Sequence, residues 1–439
     1  MTSGVQSAPV QPVAGTWRIS IASRGHAWWQ PFALVAFTAA AAAAIISRRP
    51  DAVTNPQFWA EDGHYWFAEA YNSGALHMLV MPHTGYFQTL ARSTSALSQP
   101  FGLAAAPLIF NTVALAIQLA PALFFLSSRF EHAAPRLWVR YVLATIYVLL
   151  PNSEVHANLT NAQWHLAILA CMVLIAAPSP RLGWRIFDIA AWTLSALSGP
   201  FVIILVPIAL VRWLVSRRRW HLALTAIAVP MALLQAGTSL ASAAGTRPHG
   251  PLGAGVRSTL QMFADRVVVT TMVGQEGNSH IYSSTWPHGR TLALVIATAA
   301  LGVVGYAVVR GGAALRMFSA FVAGSFAISL LSPLIDRERP EWPLILTTPT
   351  GSRYFFLPML GWAVCVVWLL SRLPRLARAL GGAAVVAVFG VGLGLNWQYP
   401  PFADLHPDAS ARQLDRATPG TQVSLPINPP GWTMDLRRH

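Results

Sequence analysis

Residues 104–126 read AAAPLIFNTVALAIQLAPALFFL, a run without one charged side chain. At about 1.5 Å of rise per residue, a helix of this length crosses a bilayer core of about 30 Å, so this stretch sets the fold class. Comparable runs recur at 32–46, 222–234, 291–309 and 379–395. Working outward between the punctuating Arg, Pro and Gly residues gives eleven predicted spans: 31–47, 104–127, 137–150, 164–177, 186–198, 201–215, 221–243, 291–309, 317–334, 354–371 and 379–395. The expected architecture is an all-α polytopic membrane protein, with a transmembrane domain over 1–395 and a short outer C-terminal tail over 396–439. The spans 186–198 and 201–215 are joined by Ser198-Gly199-Pro200, and two crossings or one re-entrant hairpin both fit them.

Composition agrees. Only 10% of the 439 residues are charged and 54% are hydrophobic, far from the roughly 25% charged fraction of a soluble domain. A net charge of +14 would point to nucleic acid in a soluble chain, but here the basic residues, all 30 of them Arg, fall in short loops between apolar runs. That is a topology signal, and no nucleic-acid partner is expected. With the N-terminus inside, sixteen Arg, among them the run Arg217-Arg218-Arg219 ahead of Trp220, face only Glu131 and Asp188; the other fourteen Arg and fourteen acids lie outside and cancel. Cys171 and Cys365 both sit in apolar runs, which supports neither a disulfide framework nor a thiolate metal site. The polar stretch 1–25 and the lack of a small-residue cleavage site after the first apolar run mark that run as a retained helix.

Four outer segments exceed what a connection needs: 48–103, 244–290, 335–353 and 396–439. The first opens with Phe58-Trp59-Ala60-Glu61-Asp62-Gly63-His64-Tyr65-Trp66-Phe67. Its aromatics suit a short helix lying along the membrane interface. Its paired acids admit two readings: they cap that helix at its first turn, or they are carboxylates whose pKa, raised near a low-dielectric boundary, suits a general base. Between two spans, Pro151 to His165 packs Glu154, His156, Asn158, Asn161, Gln163 and His165 beside Trp164. Such density is costly beside lipid unless it lines a wet cavity, where it would bind sugar hydroxyls with Trp164 against a ring face; a polar turn in solvent is the other reading. A divalent metal on Glu154, His156 and His165 is a weaker option, because the spacing matches no recognised ligand pattern. Thr350-Gly351-Ser352-Arg353-Tyr354 sets one Arg at the mouth of an apolar helix, either as a fork for a lipid phosphate or as an interfacial Arg in a Tyr belt. Asp336, Arg337, Glu338, Arg339 and Glu341 are expected to pair with one another in solvent. The 244–290 loop, with Asp265-Arg266 and Gly274 to His280, either closes over an acceptor or is a solvated connection. In the tail, 421–427 is a candidate strand, 426–432 a rigid turn, and Trp432 an interfacial anchor.

A first helix, then a long outer loop opening on an acidic pair and carrying two interfacial helices, the second over 85–99, resembles the GT-C class of membrane glycosyltransferases. The likeness lies in layout across most of the chain, with Glu61 and Asp62 its sharpest match. It implies a bacterial inner-membrane enzyme with a cytoplasmic N-terminus and an outer C-terminus. It also implies a polyprenyl-phosphate-linked sugar donor, membrane lipid around it, and a cell-envelope glycan, lipid or protein as acceptor. The catalytic carboxylate would come from the acidic pair, with Asp62 ranked before Glu61, and His64 would join the substrate-binding set. Inverting transfer from a lipid phosphate needs one base and no proton donor, so one carboxylate suffices. Two other classes remain open: a transporter or flippase of lipid-linked glycans, which would put charges inside the spans and show related halves, and a glycan polymerase or ligase relying on outer Arg266 or His280.

Overall fold

A computed structural model describes residues 30–243, 250–282, 289–336 and 338–439. Eleven long helices coincide with the eleven apolar runs: α1 (Gln30–Arg48), α2 (Gly102–Leu126), α3 (Leu137–Leu149), α4 (Ala162–Ile175), α5 (Leu182–Ala196), α6 (Phe201–Ser216), α7 (Arg219–Ala243), α8 (Gly289–Arg310), α9 (Ala313–Leu331), α10 (Phe356–Arg372) and α11 (Arg375–Leu395). Among the described residues, seven helical stretches are long and apolar enough to cross a membrane, six of them on α1, α7, α8, α9, α10 and α11 and one running from Thr89 through α2. The chain is thus an all-α protein of membrane type. Of the four shorter helices, α4 is explained by its position. Every residue of α4 is buried in protein, so this helix meets other helices rather than lipid and need not match a bilayer's thickness. The lipid-facing character lies on the outer helices, where Leu233, Leu301, Leu380 and Val386 are exposed.

The stretch 186–215 forms two separate helices, α5 and α6, broken at 197–200. Gly199 there has φ 116°, and a Cβ added to it would stand 2.3 Å from Gln163 Oε1, so the turn requires glycine. That turn is bonded to the first loop: Thr89 N–H donates to Leu197 O (2.9 Å), Gly199 N–H to Phe87 O (3.0 Å), and Gln235 on α7 braces both.

Hydrogen bonds sort the loops into two ends. At one, Arg48 donates to the final carbonyls of α3 (Leu149, 3.0 Å) and to Asn396 (3.3 Å), capping two helix C-termini while lying 4.4 Å above the Tyr399 ring. At the other, Arg129 binds Ala177 and Asp188, Arg140 reaches Leu126 and Ser127, and Arg136 reaches Ser371. Arg18 and Arg24 lie outside the described residues.

The strand expected over 421–427 forms as β1 (Gln422–Ile427); the tail adds a helix over Pro407–Arg416 and a second strand, β2 (Trp432–Arg437), antiparallel to β1, with Val423, Leu425, Ile427, Met434 and Leu436 buried. Trp432 begins β2 and stands edge-on to His64, 5.5 Å between ring centres. Two expectations are corrected. The 244–290 segment, within its described part, is packed helix rather than solvated connection, and Arg266 is buried with its guanidinium on the carbonyls of Ile345 (3.0 Å) and Thr348. Of the acidic run near 336–341, Asp336 pairs with exposed Arg339 as expected, but Glu341 is fully buried and accepts Ile335 N–H (3.1 Å); Arg337 lies outside the described residues.

Candidate functional site

The site begins where α1 stops. After the turn Asp51–Thr54 the chain runs extended to Ala60, and Asp62–Phe67 then forms a wide π-type turn that continues into helix Ala68–Ser73. Such turns recur at functional sites because they re-aim side chains that an α-helix would align. Trp66 and Phe67 anchor the turn in the core, and the second expected interfacial helix forms at Thr89–Ser98 behind it.

The wide turn gives the two acids different surroundings. Asp62 is fully buried. One carboxylate oxygen accepts Leu159 N–H (3.1 Å) and the other the Thr160 hydroxyl (2.8 Å). Burial pushes its carboxyl up to about 7, and the bonds to Thr160 and Leu159 hold it from going higher. Glu61 is half-buried; burial raises its carboxyl too, opposed by the positive charge of Arg353 and reinforced by the negative charge of Glu154. Asp62 is therefore tied into the 151–165 loop, while Glu61 faces the ionic group beside it.

That group is Glu154 with Arg353. Glu154 accepts the Arg353 guanidinium, the Arg353 backbone N–H (3.0 Å) and the Ser352 hydroxyl (3.1 Å). The remaining guanidinium nitrogen donates to Leu334 O (2.8 Å) and Tyr354 Oη (3.0 Å). Arg353 is thus fixed on Glu154 by a short helical turn ahead of α10, where its charge reaches Glu61. Trp164 stands edge-on to Phe201 (4.8 Å) and Tyr354 (6.1 Å). Its Nε1 and the neighbouring Gln163 Oε1 are buried and have no hydrogen-bond partner among the described residues. An orphaned buried polar atom costs about 1–3 kcal/mol, so this pair is ready for a hydroxyl-bearing ligand or water.

Glu61, Asp62, Glu154, Gln163, Trp164, Arg353 and Tyr354 thus come together around one corner. Four other candidates, His64, His156, Asn158 and Asn161, do not join it. His156 spends Nε2 on Ile45 O (2.9 Å) and Nδ1 on Gln118 (3.0 Å). Asn158 and Asn161 bond to each other and to Glu154 O, shaping the loop that holds Asp62. His64 turns toward the tail, with Nδ1 on Thr433 O. His165 is bound to Tyr147 and Val155 O, and among the described residues no three His, Cys, Asp or Glu side chains converge to hold a metal. The expected wet lining is therefore largely a self-bonded scaffold. Thr160 and the Leu159 N–H are the partners that sequence reasoning missed. Thr160 lies inside the polar run and was legible there as a donor, whereas a backbone N–H leaves no mark in sequence. Neither a protein-family model nor a curated protein matches this chain.

Proposed function

We propose that the chain is a membrane glycosyltransferase. It moves a sugar from a polyprenyl-phosphate donor to a cell-envelope glycan, lipid or protein acceptor on the outer face of a bacterial inner membrane. In this reading all eleven helices cross the bilayer, the Arg-rich end faces the cytoplasm together with the N-terminus, and the acidic loops and C-terminal tail lie outside. The observation that carries it is the Glu61 carboxyl, raised by burial and lying in the field of Arg353, at the end of the helices opposite the Arg-rich loops.

The geometry favours Glu61 over Asp62 as the base, because Asp62 is enclosed and both its oxygens are taken. Glu61 removes the proton of the acceptor hydroxyl as that oxygen bonds to the anomeric carbon. The bond from that carbon to the phosphate oxygen breaks on the opposite face, and its electron pair leaves with the phosphate, so the anomeric configuration inverts. Arg353, exchanging part of its contact with Glu154 for the phosphate, offsets the leaving charge. Trp164 and Gln163 meet the sugar. Two alternatives lose support. Arg266 is spent on backbone carbonyls, which weakens a polymerase or ligase built on it. The buried ion pair Arg129–Asp188 is closed on itself, unlike the exchanging charges of a transporter.

The test is transfer of a radiolabelled sugar from a polyprenyl-phosphate donor in membranes holding the protein. Glu61→Gln is expected to lower turnover about 10²- to 10⁴-fold without loss of insertion, and Asp62→Asn to lower it less. Full activity in both variants overturns the assignment.

A further inference from the structure

The segment that leads into the acidic pair packs Phe58 on Phe110 of α2, while its backbone at Phe58 and Ala60 is bonded to the C-terminal tail. Asn428, in the hairpin turn after β1, accepts the Ala60 N–H on its carbonyl (2.5 Å) and donates its own N–H to Phe58 O (3.2 Å). Its side chain is 1% exposed. It donates to Gln57 Oε1 (3.1 Å) and Ala403 O (3.0 Å) and accepts Ala403 N–H (2.9 Å). Gln57 Oε1 also receives Leu405 N–H (3.1 Å), so the incoming strand, the tail and the hairpin meet at one point. Directly before Glu61, Ala60 has φ 45°, in the left-handed region. For a residue with a Cβ that conformation costs on the order of 1–3 kcal/mol and persists where surrounding contacts over-determine it. The contact made by the Ala60 N–H is Asn428. Further along, a Cβ at Gly63 would come 3.0 Å from Ile427 Cδ1, and Asn72 brackets β2 by bonds to Asp435 O and Arg437 N–H (both 2.8 Å).

We propose that Asn428 is a positioning residue for the acidic pair: the C-terminal tail, through this side chain and its backbone, holds Ala60 left-handed and so aims Glu61 at the Arg353 corner. The catalytic part of this rests on reading Glu61 as the base, and the structural part does not.

The test uses the full-length chain in lipid nanodiscs. In Asn428→Ala, amide hydrogen exchange at Ala60 and Asp62 is expected to rise about tenfold or more while the amides of α4 keep their protection. Turnover should fall about 10- to 100-fold with KM for a polyprenyl-phosphate sugar little changed, the signature of a misplaced reacting group rather than a lost binding surface. Asn428→Asp, which sets a buried carboxylate oxygen against the acceptors Gln57 Oε1 and Ala403 O, should be at least as damaging as Asn428→Ala. Unchanged exchange at Ala60 overturns the clamp. Raised exchange with unchanged turnover overturns its positioning role, as does turnover lost only in proportion to unfolded protein. If Asn428→Ala does not fold, Gln57→Ala, which leaves the hairpin intact and removes the shared acceptor, must give the same split. The exchange result is independent of activity, so a wild-type chain that transfers no sugar defeats the glycosyltransferase reading and leaves the clamp judged by exchange alone.

Discussion

Two clusters of charge sit at opposite ends of the helices and are built on different stoichiometries. At the Arg-rich end Arg129 and Asp188 meet one to one. Two guanidinium nitrogens take both carboxylate oxygens at 2.7 Å, Nε goes to Ala177 O, and the rings of Phe124 and Trp184 lie about 5 Å from the cation. At the other end one cation, Arg353, serves two acids. Glu154 is bonded to it, and Glu61 feels its charge with no hydrogen bond between them among the described residues. A matched pair with no spare valence fastens α5 to the loop after α2. A shared cation leaves the Glu61 carboxylate without a hydrogen bond from Arg353, and that is the difference on which the proposed chemistry rests.

The comparison can be broken in three ways. Arg129→Ala should cost about 3–5 kcal/mol of stability, because it strands Asp188 as an uncompensated buried charge, with turnover per folded molecule unchanged. Thermal unfolding of that variant beside Glu61→Gln is the measurement; equal losses of stability in both would erase the distinction. A smaller effect concerns pH. Asp62 titrates at about 7 in the folded chain against its ordinary 3.8. The folded state therefore holds a proton that the unfolded state has released between those values, and stability from this group declines as pH rises through that window. The melting temperature of the wild type should drop between pH 5 and pH 8, and Asp62→Asn should flatten that slope; an equal slope in both would show that Asp62 ionises freely. Smallest is Trp164→Phe, which removes an orphaned donor and keeps the ring. Stability should shift by less than about 1 kcal/mol, while KM for the donor rises if the indole meets the sugar. Unchanged kinetics would detach Trp164 from the site.

Much of the fold was legible because charge and hydropathy act locally. Eleven apolar runs, eight of them without a charge, became eleven helices, and the Arg pattern anticipated which loops would gather at one end. Less of the site could be read. Glu61, Glu154 and Arg353 stood out as charges in apolar surroundings, and they meet. His156, Asn158 and Asn161 stood out equally and are spent on one another and on backbone, because a polar side chain in sequence does not say whether its partner is a ligand or the chain itself. The hairpin was half legible: alternation over 421–427 announced β1, and the same alternation through Met434 and Leu436 went unread.

The sequence by itself determined the class of molecule, since twenty or so residues without charge have few stable forms other than a helix in lipid or in a protein core. It also marked the loops in which Arg outnumbers the acids. Only the tertiary structure set Glu61 and Asp62, adjacent residues of like chemistry, in different surroundings. A π-type turn sends one into bonds with Leu159 and Thr160 and leaves the other beside Arg353, and that turn is held by Asn428 from the far end of the chain. Contacts over such separations leave no local trace, because what fixes them is the closing of the whole packed molecule.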